Sequence, residues 1–507
     1  MKPICNAISK INRGTRVCTL VVLFAAAAIT LPAQIFTTLH SFDGTDGVTP
    51  IAGLVQGLDG NLYGTTINDG ANQRGGTIFK ITPGGTLTTL YNFCVQEGCP
   101  DGKFPYGGLV QATNGNLYGT TYRGGANDLG TVFAITPGGT RTTIYSFCSQ
   151  SGCTDGAYPE GTLVQYGGAF YGTTSGGGAN GAFGTVFKIT PSGTLTTLYS
   201  FCSQPNCADG EEPGAGLIQA TNGNFYGTTE TGGANCTEPG CGTIFQITPA
   251  GTLTTLYSFC SLPGCSDGGI PVAGLVQGTD SAGYLYGTTQ AGGARGLGTV
   301  FKIGLGGGPL WTLYSFCSQS GCADGSYPNG GLVQGSDGDF YGTTTYGGVC
   351  PSGSGCGTIF KIGSGGGLTT LYNFCSEGEC PDGEIPDAAL VQDTNGSFYG
   401  TTNYGGADVG GCSSGNGCGT IFRLSVGLGP FVKTLPVSGP VGTAVEILGT
   451  NLTGATSVSF NGTAAAFTVV SDLEITTAVP TGATYGLVQV VTPTAILFSN
   501  RPFPVGP

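Results

Sequence analysis

The tetrapeptide Tyr-Gly-Thr-Thr begins at Tyr63, Tyr118, Tyr171, Tyr226, Tyr286, Tyr341 and Tyr399, at steps of 55, 53, 55, 60, 55 and 58 residues. A period of that size means that one supersecondary unit is repeated and that each copy buries its apolar face against its neighbours. Around every copy the same four β-type runs recur, GLVQ, LYGTT, GTVFKIT and TTLYSF in representative form. Gly, Asn and Asp cluster between them, as tight hairpin turns require. Four antiparallel strands per unit predict a propeller blade, since a β-solenoid coil needs only about half that length per turn. The array opens on a lone fourth-type run, Thr37 to Phe42, and closes its seventh unit on GTIFRLSV with no fourth run after it. The expected fold is therefore all-β, with a seven-bladed β-propeller over residues 35–426 whose N-terminal strand completes the last blade and leaves no free edge.

Glycine is abundant, 97 residues, and charge is sparse at 9%, but the 39% hydrophobic content falls in regularly spaced strand-like runs, which argues against disorder. Lys2, Lys10, Arg13 and Arg16 precede an apolar run, CTLVVLFAAAAITLPA, and no acidic residue occurs before Asp43. Residues 1–33 thus read as a signal peptide cleaved near Ala33, and the run is short for a spanning helix; an uncleaved anchor is the competing reading. Cleavage leaves 12 basic against 29 acidic residues. That balance disfavours nucleic acid and anionic lipid as partners, and no membrane insertion is expected after cleavage.

The unit LYGTTxxGGAN…GTVFKITPGGTLTTLYSF resembles the GloVer tandem repeat of secreted bacterial proteins, the choice-of-anchor group, from Ile35 to Val426. The resemblance implies a signal peptide, many repeats, a variable C-terminal attachment device and a secreted or cell-surface location in a bacterium. It implies no activity. After Val426 the pattern changes to alternating strands at sandwich spacing. Pro436, Gly439, Gly442-Thr443, Gly449-Thr450-Asn451, Phe460-Asn461-Gly462 and Pro480 make residues 429–507 similar to an IPT/TIG domain, an immunoglobulin-like β-sandwich. That likeness implies a spacer or adhesive module. Its DNA-binding relatives need a basic surface, and this tail offers only Lys433 and Arg501.

Eighteen cysteines beyond the leader fall into nine close pairs. Six lie in the loop between units: Cys94/Cys99, Cys148/Cys153, Cys202/Cys207, Cys260/Cys265, Cys317/Cys322 and Cys375/Cys380. Three lie in the loop after YGTT: Cys236/Cys241, Cys350/Cys356 and Cys412/Cys418. A zinc site needs four converging ligands, the pairs are a blade apart, and the chain has one histidine, His40. In an exported chain the pairs read instead as disulfides, and no metal or cofactor is expected. The Asp-Gly that follows each pair suggests calcium, but one carboxylate per loop falls short of six to eight oxygens, so a turn is the preferred reading.

Antiparallel parity puts the loops between units and the loops after YGTT on one face. Positions that vary on this constant frame are the candidate ligand-binding residues. Around the loop proline they are Phe104, Tyr106, Tyr158, Glu160, Glu212, Tyr327 and Asp387; after YGTT they are Tyr122, Arg123, Glu230, Tyr346 and Tyr404. Aromatic faces beside carboxylates suit carbohydrate, which stacks on rings and donates hydroxyl protons, while loop packing is the plainer explanation. The expected function is a non-enzymatic surface or extracellular binding protein whose loop face contacts glycan or protein. One alternative is a polysaccharide-acting hydrolase or lyase using a carboxylate pair such as Glu160 and Glu212. The other is a purely structural envelope component. Ser/His/Asp catalysis is disfavoured, because His40 merely replaces the strand tyrosine of the other units.

Overall fold

A computed structural model of the chain describes residues 34–71, 74–235, 241–280, 283–350, 356–376, 378–407, 412 and 417–506. The expected signal peptide, 1–33, lies outside the described residues. No helix among the described residues is long and apolar enough to cross a membrane.

A single strand, β1 (Ile35–Ser41), precedes the first unit, whose strands are β2 (Val55–Gln56), β3 (Leu62–Thr66), β4 (Thr77–Ile81) and β5 (Leu87–Asn92). These four pair antiparallel in chain order, and among the described residues the repeat forms seven such four-stranded sheets. The last sheet takes its outer strand from the other end of the array: β1 lies antiparallel to Thr420–Ser425, with Ile35 opposite Ser425 and Ser41 opposite Thr420. β1 also carries the bulge of a fourth strand, skipping Leu39 where β5 skips Leu90.

The repeated tetrapeptide can be explained atom by atom. Tyr63 is buried and its phenol donates to Asp59 Oδ2 at 2.8 Å. Gly64 has no room for a side chain, since a Cβ would stand 2.5 Å from Cζ of Phe79. The Thr65 hydroxyl donates to the Pro105 carbonyl of the next unit, and the Thr66 and Thr77 hydroxyls meet at 2.9 Å. Every buried polar group of the motif therefore has a partner, which lets threonines sit in a core strand at little cost.

Apolar side chains fill the space between consecutive sheets. Tyr63, Ile78 and Phe93 of the first pack with Leu109, Leu117 and Phe133 of the second, and the pattern recurs along the array. One further cluster joins the last sheet to the first, bringing Tyr399 and Ile421 against Phe42, Leu62 and Phe79.

The innermost strands approach one another closely at the third residue after the loop proline, which is Gly53, Gly108, Thr162, Gly216, Gly274, Gly331 or Ala389. A Cβ on Gly216 would lie 2.7 Å from the Thr162 carbonyl oxygen, on Gly274 3.2 Å from that of Gly216, and on Gly331 3.3 Å from that of Gly274. Gly108 donates its N–H to Thr162 Oγ1 at 2.9 Å, and a Cβ there would lie 3.1 Å from the Gly53 carbonyl oxygen. Gly53 in turn would meet the Ala389 carbonyl oxygen at 3.2 Å, so the contact passes from the last sheet to the first.

The tail forms two further four-stranded antiparallel sheets, Lys433–Leu435, Ala444–Leu448, Glu474–Ala478 and Phe467–Val469 against Thr463–Ala465, Ser457–Phe460, Val488–Val491 and Ile496–Phe498. Val445, Ile447, Val458, Phe460, Ile475 and Val490 point between them, as in an immunoglobulin-like sandwich.

The crowding between inner strands predicts a graded response. Gly216→Ala places a methyl against the fixed backbone of Thr162, 2.7 Å from its carbonyl oxygen and 3.0 Å from its nitrogen, and is expected to cost about 1–3 kcal/mol in chemical denaturation. Gly274→Ala, with its single looser contact, is expected to cost clearly less; equal costs would contradict this packing.

Candidate functional site at the loop end of the array

The loop between units is held by its aspartate. Asp155 is fully buried; its Oδ2 accepts from the Tyr145 phenol at 2.8 Å and from the Ser149 N–H at 2.9 Å, and its Oδ1 from the Gln150 N–H at 3.2 Å. Asp209, Asp267 and Asp324 repeat the arrangement with Tyr199, Tyr257 and Tyr314. In the unit lacking cysteines, His40 stands in for the tyrosine and lies 2.6 Å from Asp46. These carboxylates are occupied by the loop's own donors, in keeping with a turn rather than calcium.

Seven disulfides close among the described residues: Cys94–Cys99, Cys148–Cys153, Cys202–Cys207, Cys260–Cys265, Cys317–Cys322, Cys375–Cys380 and Cys412–Cys418. Cys241 is also disulfide-bonded, while its expected partner Cys236 lies outside the described residues. The Cys350/Cys356 pairing brackets 351–355, which also lie outside them, and stays an expectation. Cys202 and Cys207 approach Glu211, but their sulfurs are committed to each other and cannot ligate as thiolates.

Both families of variable loop share one end of the array. Lys103, Ala157, Glu211, Gly269, Ser326 and Glu384 of the loops between units bridge to Arg123, Gly176, Thr231, Ala291, Tyr346 and Tyr404 of the loops after YGTT. The residue before the loop proline is left-handed in every unit: Thr49, Phe104, Tyr158, Glu212, Ile270, Tyr327 and Ile385, with φ from 55 to 60°. That conformation is costly for β-branched and bulky residues, and two backbone hydrogen bonds hold it. The Phe104 N–H donates to the Gly75 carbonyl of the preceding unit, and its carbonyl accepts from the Tyr122 N–H of its own. The same pair of bonds recurs at Thr49, Tyr158, Glu212, Ile270, Tyr327 and Ile385.

This frame presents two variable side chains per unit, one after the proline and one after YGTT: Ile51 and Ile67, Tyr106 and Tyr122, Glu160 and Ser175, Gly214 and Glu230, Val272 and Gln290, Asn329 and Thr345, Asp387 and Asn403. They meet within and between units. The Tyr106, Tyr122 and Tyr158 rings follow one another at 5.1 and 5.0 Å, tilted by 55° and 32°, so they are not the coplanar platform of a flat sugar site. The Arg123 guanidinium lies 5.7 and 5.2 Å from the Tyr122 and Tyr158 rings. Ser175 Oγ donates to Glu160 Oε1 at 2.6 Å. Gln290 Nε2 donates to Asn329 Oδ1 and Asn329 Nδ2 to Asp387 Oδ1, and Thr345 and Asn403 also donate to Asp387.

The acidic sector lies beside Gly214. A Cβ there would be 2.4 Å from Glu230 Oε1 and 3.6 Å from Glu160 Oε2, so both carboxyls use the space the glycine leaves. Burial, and then the charges of Glu160 and Glu212, push the Glu230 carboxyl up to about 7. Burial also raises Glu160, opposed by Ser175 and helped by Glu212. Tyr106 and Tyr122 are raised by burial and by Glu160. Asp387 is raised by burial against its three hydrogen bonds. The close carboxyl pair is thus Glu160 with Glu230, and Glu212, which accepts from the Thr231 hydroxyl at 3.2 Å, is the exposed third member.

The other candidates are dispersed. Phe104 lines a cleft with Asp69, Arg74 and Lys103 beside the first disulfide. Tyr327 and Tyr346 form a separate edge-to-face pair at 5.8 Å. Tyr404 contributes its backbone to the bridge with Glu384, and among the described residues its ring stacks on none of the others. Sequence reasoning missed Ser175, Gln290, Asn329, Thr345 and Asn403, although each occupies the slot after the proline or after YGTT that could have flagged it.

The ionisation of Glu230 has a measurable consequence. Between the ordinary carboxylate value near 4.5 and about 7, the folded chain holds a proton that the unfolded chain has released, so this group makes stability fall as pH rises through that window. Glu230→Gln is expected to flatten the stability profile from pH 5 to 7 and to raise the melting temperature at pH 8 above that of the parent. A mutant less stable at pH 8 would contradict the assignment.

The model of the Gloeobacter/Verrucomicrobia repeat matches residues 25–237 and 203–414, and that of the IPT/TIG domain matches 431–501. No curated protein matches the sequence. Among solved structures, the extracellular domain of a putative hybrid two-component system from B. thetaiotaomicron is 11% identical, with a TM-score of 0.50 over 93% of this chain and 46% of that one. This chain therefore spans less than half the length of that protein. A fungal alcohol oxidase of the AA5 family, in complex with copper, is also 11% identical, with a TM-score of 0.51 over 92% of this chain and 98% of that one. Both likenesses concern the fold. The repeat matches, together running from 25 to 414, show that the chain belongs to the Gloeobacter/Verrucomicrobia repeat family and carries an IPT/TIG domain behind its repeats.

Proposed function

We propose that this is an exported bacterial surface or extracellular protein that binds a glycan, and that the repeat is a seven-bladed propeller shut by β1. The pairing of β1 with Thr420–Ser425, and the inner-strand contact from Ala389 to Gly53, support a shut ring. The observation that carries the binding role is the run Tyr106–Tyr122–Tyr158 beside Glu160 and Ser175: ring faces for the apolar side of a sugar, next to acceptors for its hydroxyls. The Asn329–Asp387–Asn403 network offers a second polar margin. Because the rings are tilted, a branched or curved saccharide fits better than a flat chain.

A second reading, a polysaccharide-acting enzyme, is favoured by one observation, the close Glu160 and Glu230 carboxyls, one of them near pH 7 and so able to serve as a general acid. A glycan array probed with the full chain tests both. Binding weakened about tenfold or more by Tyr122→Ala, with an unchanged far-ultraviolet spectrum, is the expected result, as loss of one stacking face implies. Hits insensitive to Tyr122→Ala and Tyr158→Ala would refute the aromatic site, and product release abolished by Glu230→Gln would favour the enzyme.

A further inference from the structure

At five junctions between consecutive units an inner-strand glutamine reaches back to the preceding sheet. Gln111, Gln165, Gln277, Gln334 and Gln392 accept the N–H of Leu58, Thr113, Thr221, Thr279 and Ser336. The junction between the last sheet and the first uses the same device: Gln56 Oε1 accepts from the Thr394 N–H at 3.3 Å, and its Nε2 donates to Thr394 Oγ1 at 2.9 Å. The last sheet is also the one whose edge strand, β1, is held to its single neighbour, Thr420–Ser425, by hydrogen bonds rather than by a hairpin turn.

Here the tail adds contacts that the other junctions lack. Lys433 Nζ donates to Gln56 Oε1 of the first sheet at 3.0 Å and also to the Gln392 carbonyl of the last. The Phe431 N–H donates to the Thr394 carbonyl at 3.0 Å, and both residues are buried. Asp393, also buried, supplies the counter-charge beside the ammonium. On the first-sheet side, the turn at Gly60 runs under Leu473, whose Cδ1 a Cβ would meet at 2.6 Å.

We infer that the C-terminal domain is a latch on this seam: Lys433 spans the first and last sheets, so that the domain holds the array shut from the turn end while β1 holds it along the outer edge. The inference rests on the closed-ring reading. It gives the domain a task within this chain, beyond spacing or adhesion, and requires it to sit fixed on the array rather than swing from a linker.

Amide hydrogen exchange on the full chain tests it. Lys433→Met keeps the apolar stem and removes the donor. Exchange is expected to accelerate about tenfold or more at 36–41 and 420–424, while 225–229 and 243–247 keep their protection, because a local opening is relieved of one of its restraints. Gln56→Ala is expected to give the same pattern, and Leu473→Ala a weaker one that remains readable should the lysine variant fold poorly. Unchanged protection at the seam, acceleration spread evenly over all sheets, or acceleration confined to 433–503 would each overturn the latch. Absence of protection at 36–41 in the parent chain would instead overturn the closed ring itself.

Discussion

The close approach of neighbouring inner strands constrains the rest of the array. Where the inner strands begin, five sheets offer a glycine to the backbone carbonyl of the neighbour, with little slack. A bulky side chain there would wedge two sheets apart, and because every apolar cluster is shared between two sheets, the displacement would be handed along.

At the rim of the loop end the covalent and non-covalent supports differ in rank. The aspartate occurs in all seven loops and is buried in four of them, at Asp155, Asp209, Asp267 and Asp324, whereas the short disulfide occurs in six, and the unit without cysteines keeps the carboxylate and pairs it with His40. A carboxylate that gathers a phenol and successive backbone donors solves the problem every tight loop has, namely where its own N–H groups go. The disulfide then limits how far the unfolded loop can wander. The left-handed residue before the proline has a different kind of support. It is fixed by bonds to two units at once, so a conformation that a lone loop would reject becomes the point where neighbouring units are tied.

Much of this was legible in the sequence because repetition averages out local ambiguity: seven copies of one four-strand pattern outweigh the weakness of any single short strand. The phase of the array, a spare fourth strand in front and a missing one behind, anticipated the partner of β1. The cysteine pairs and the turn role of the aspartates were legible too, the former from spacing and the latter from the adjacent glycine. The phenol that binds Asp155 or Asp209 lies ten residues away on the preceding strand, and no local pattern announces it. The rim was read only in part. Large or charged residues such as Tyr122, Glu160 and Asp387 stood out by type, but Ser175, Thr345, Asn329 and Asn403 resemble ordinary loop polarity until their slots are aligned. The sequence paired Glu160 with Glu212, whose charge does raise it, but left Glu230 unpaired, because the space that Glu230 shares with Glu160 depends on a side chain that is missing, that of Gly214.

The tie before each proline has one more implication. It is made by main-chain atoms, so it accepts threonine, phenylalanine, tyrosine, glutamate and isoleucine alike, and it leaves the two neighbouring slots chemically uncommitted. Identity at those slots can therefore drift from copy to copy without unsettling the scaffold. A lineage that duplicates and diverges such units can rewrite what the rim greets, letter by letter, while the architecture beneath stays the same.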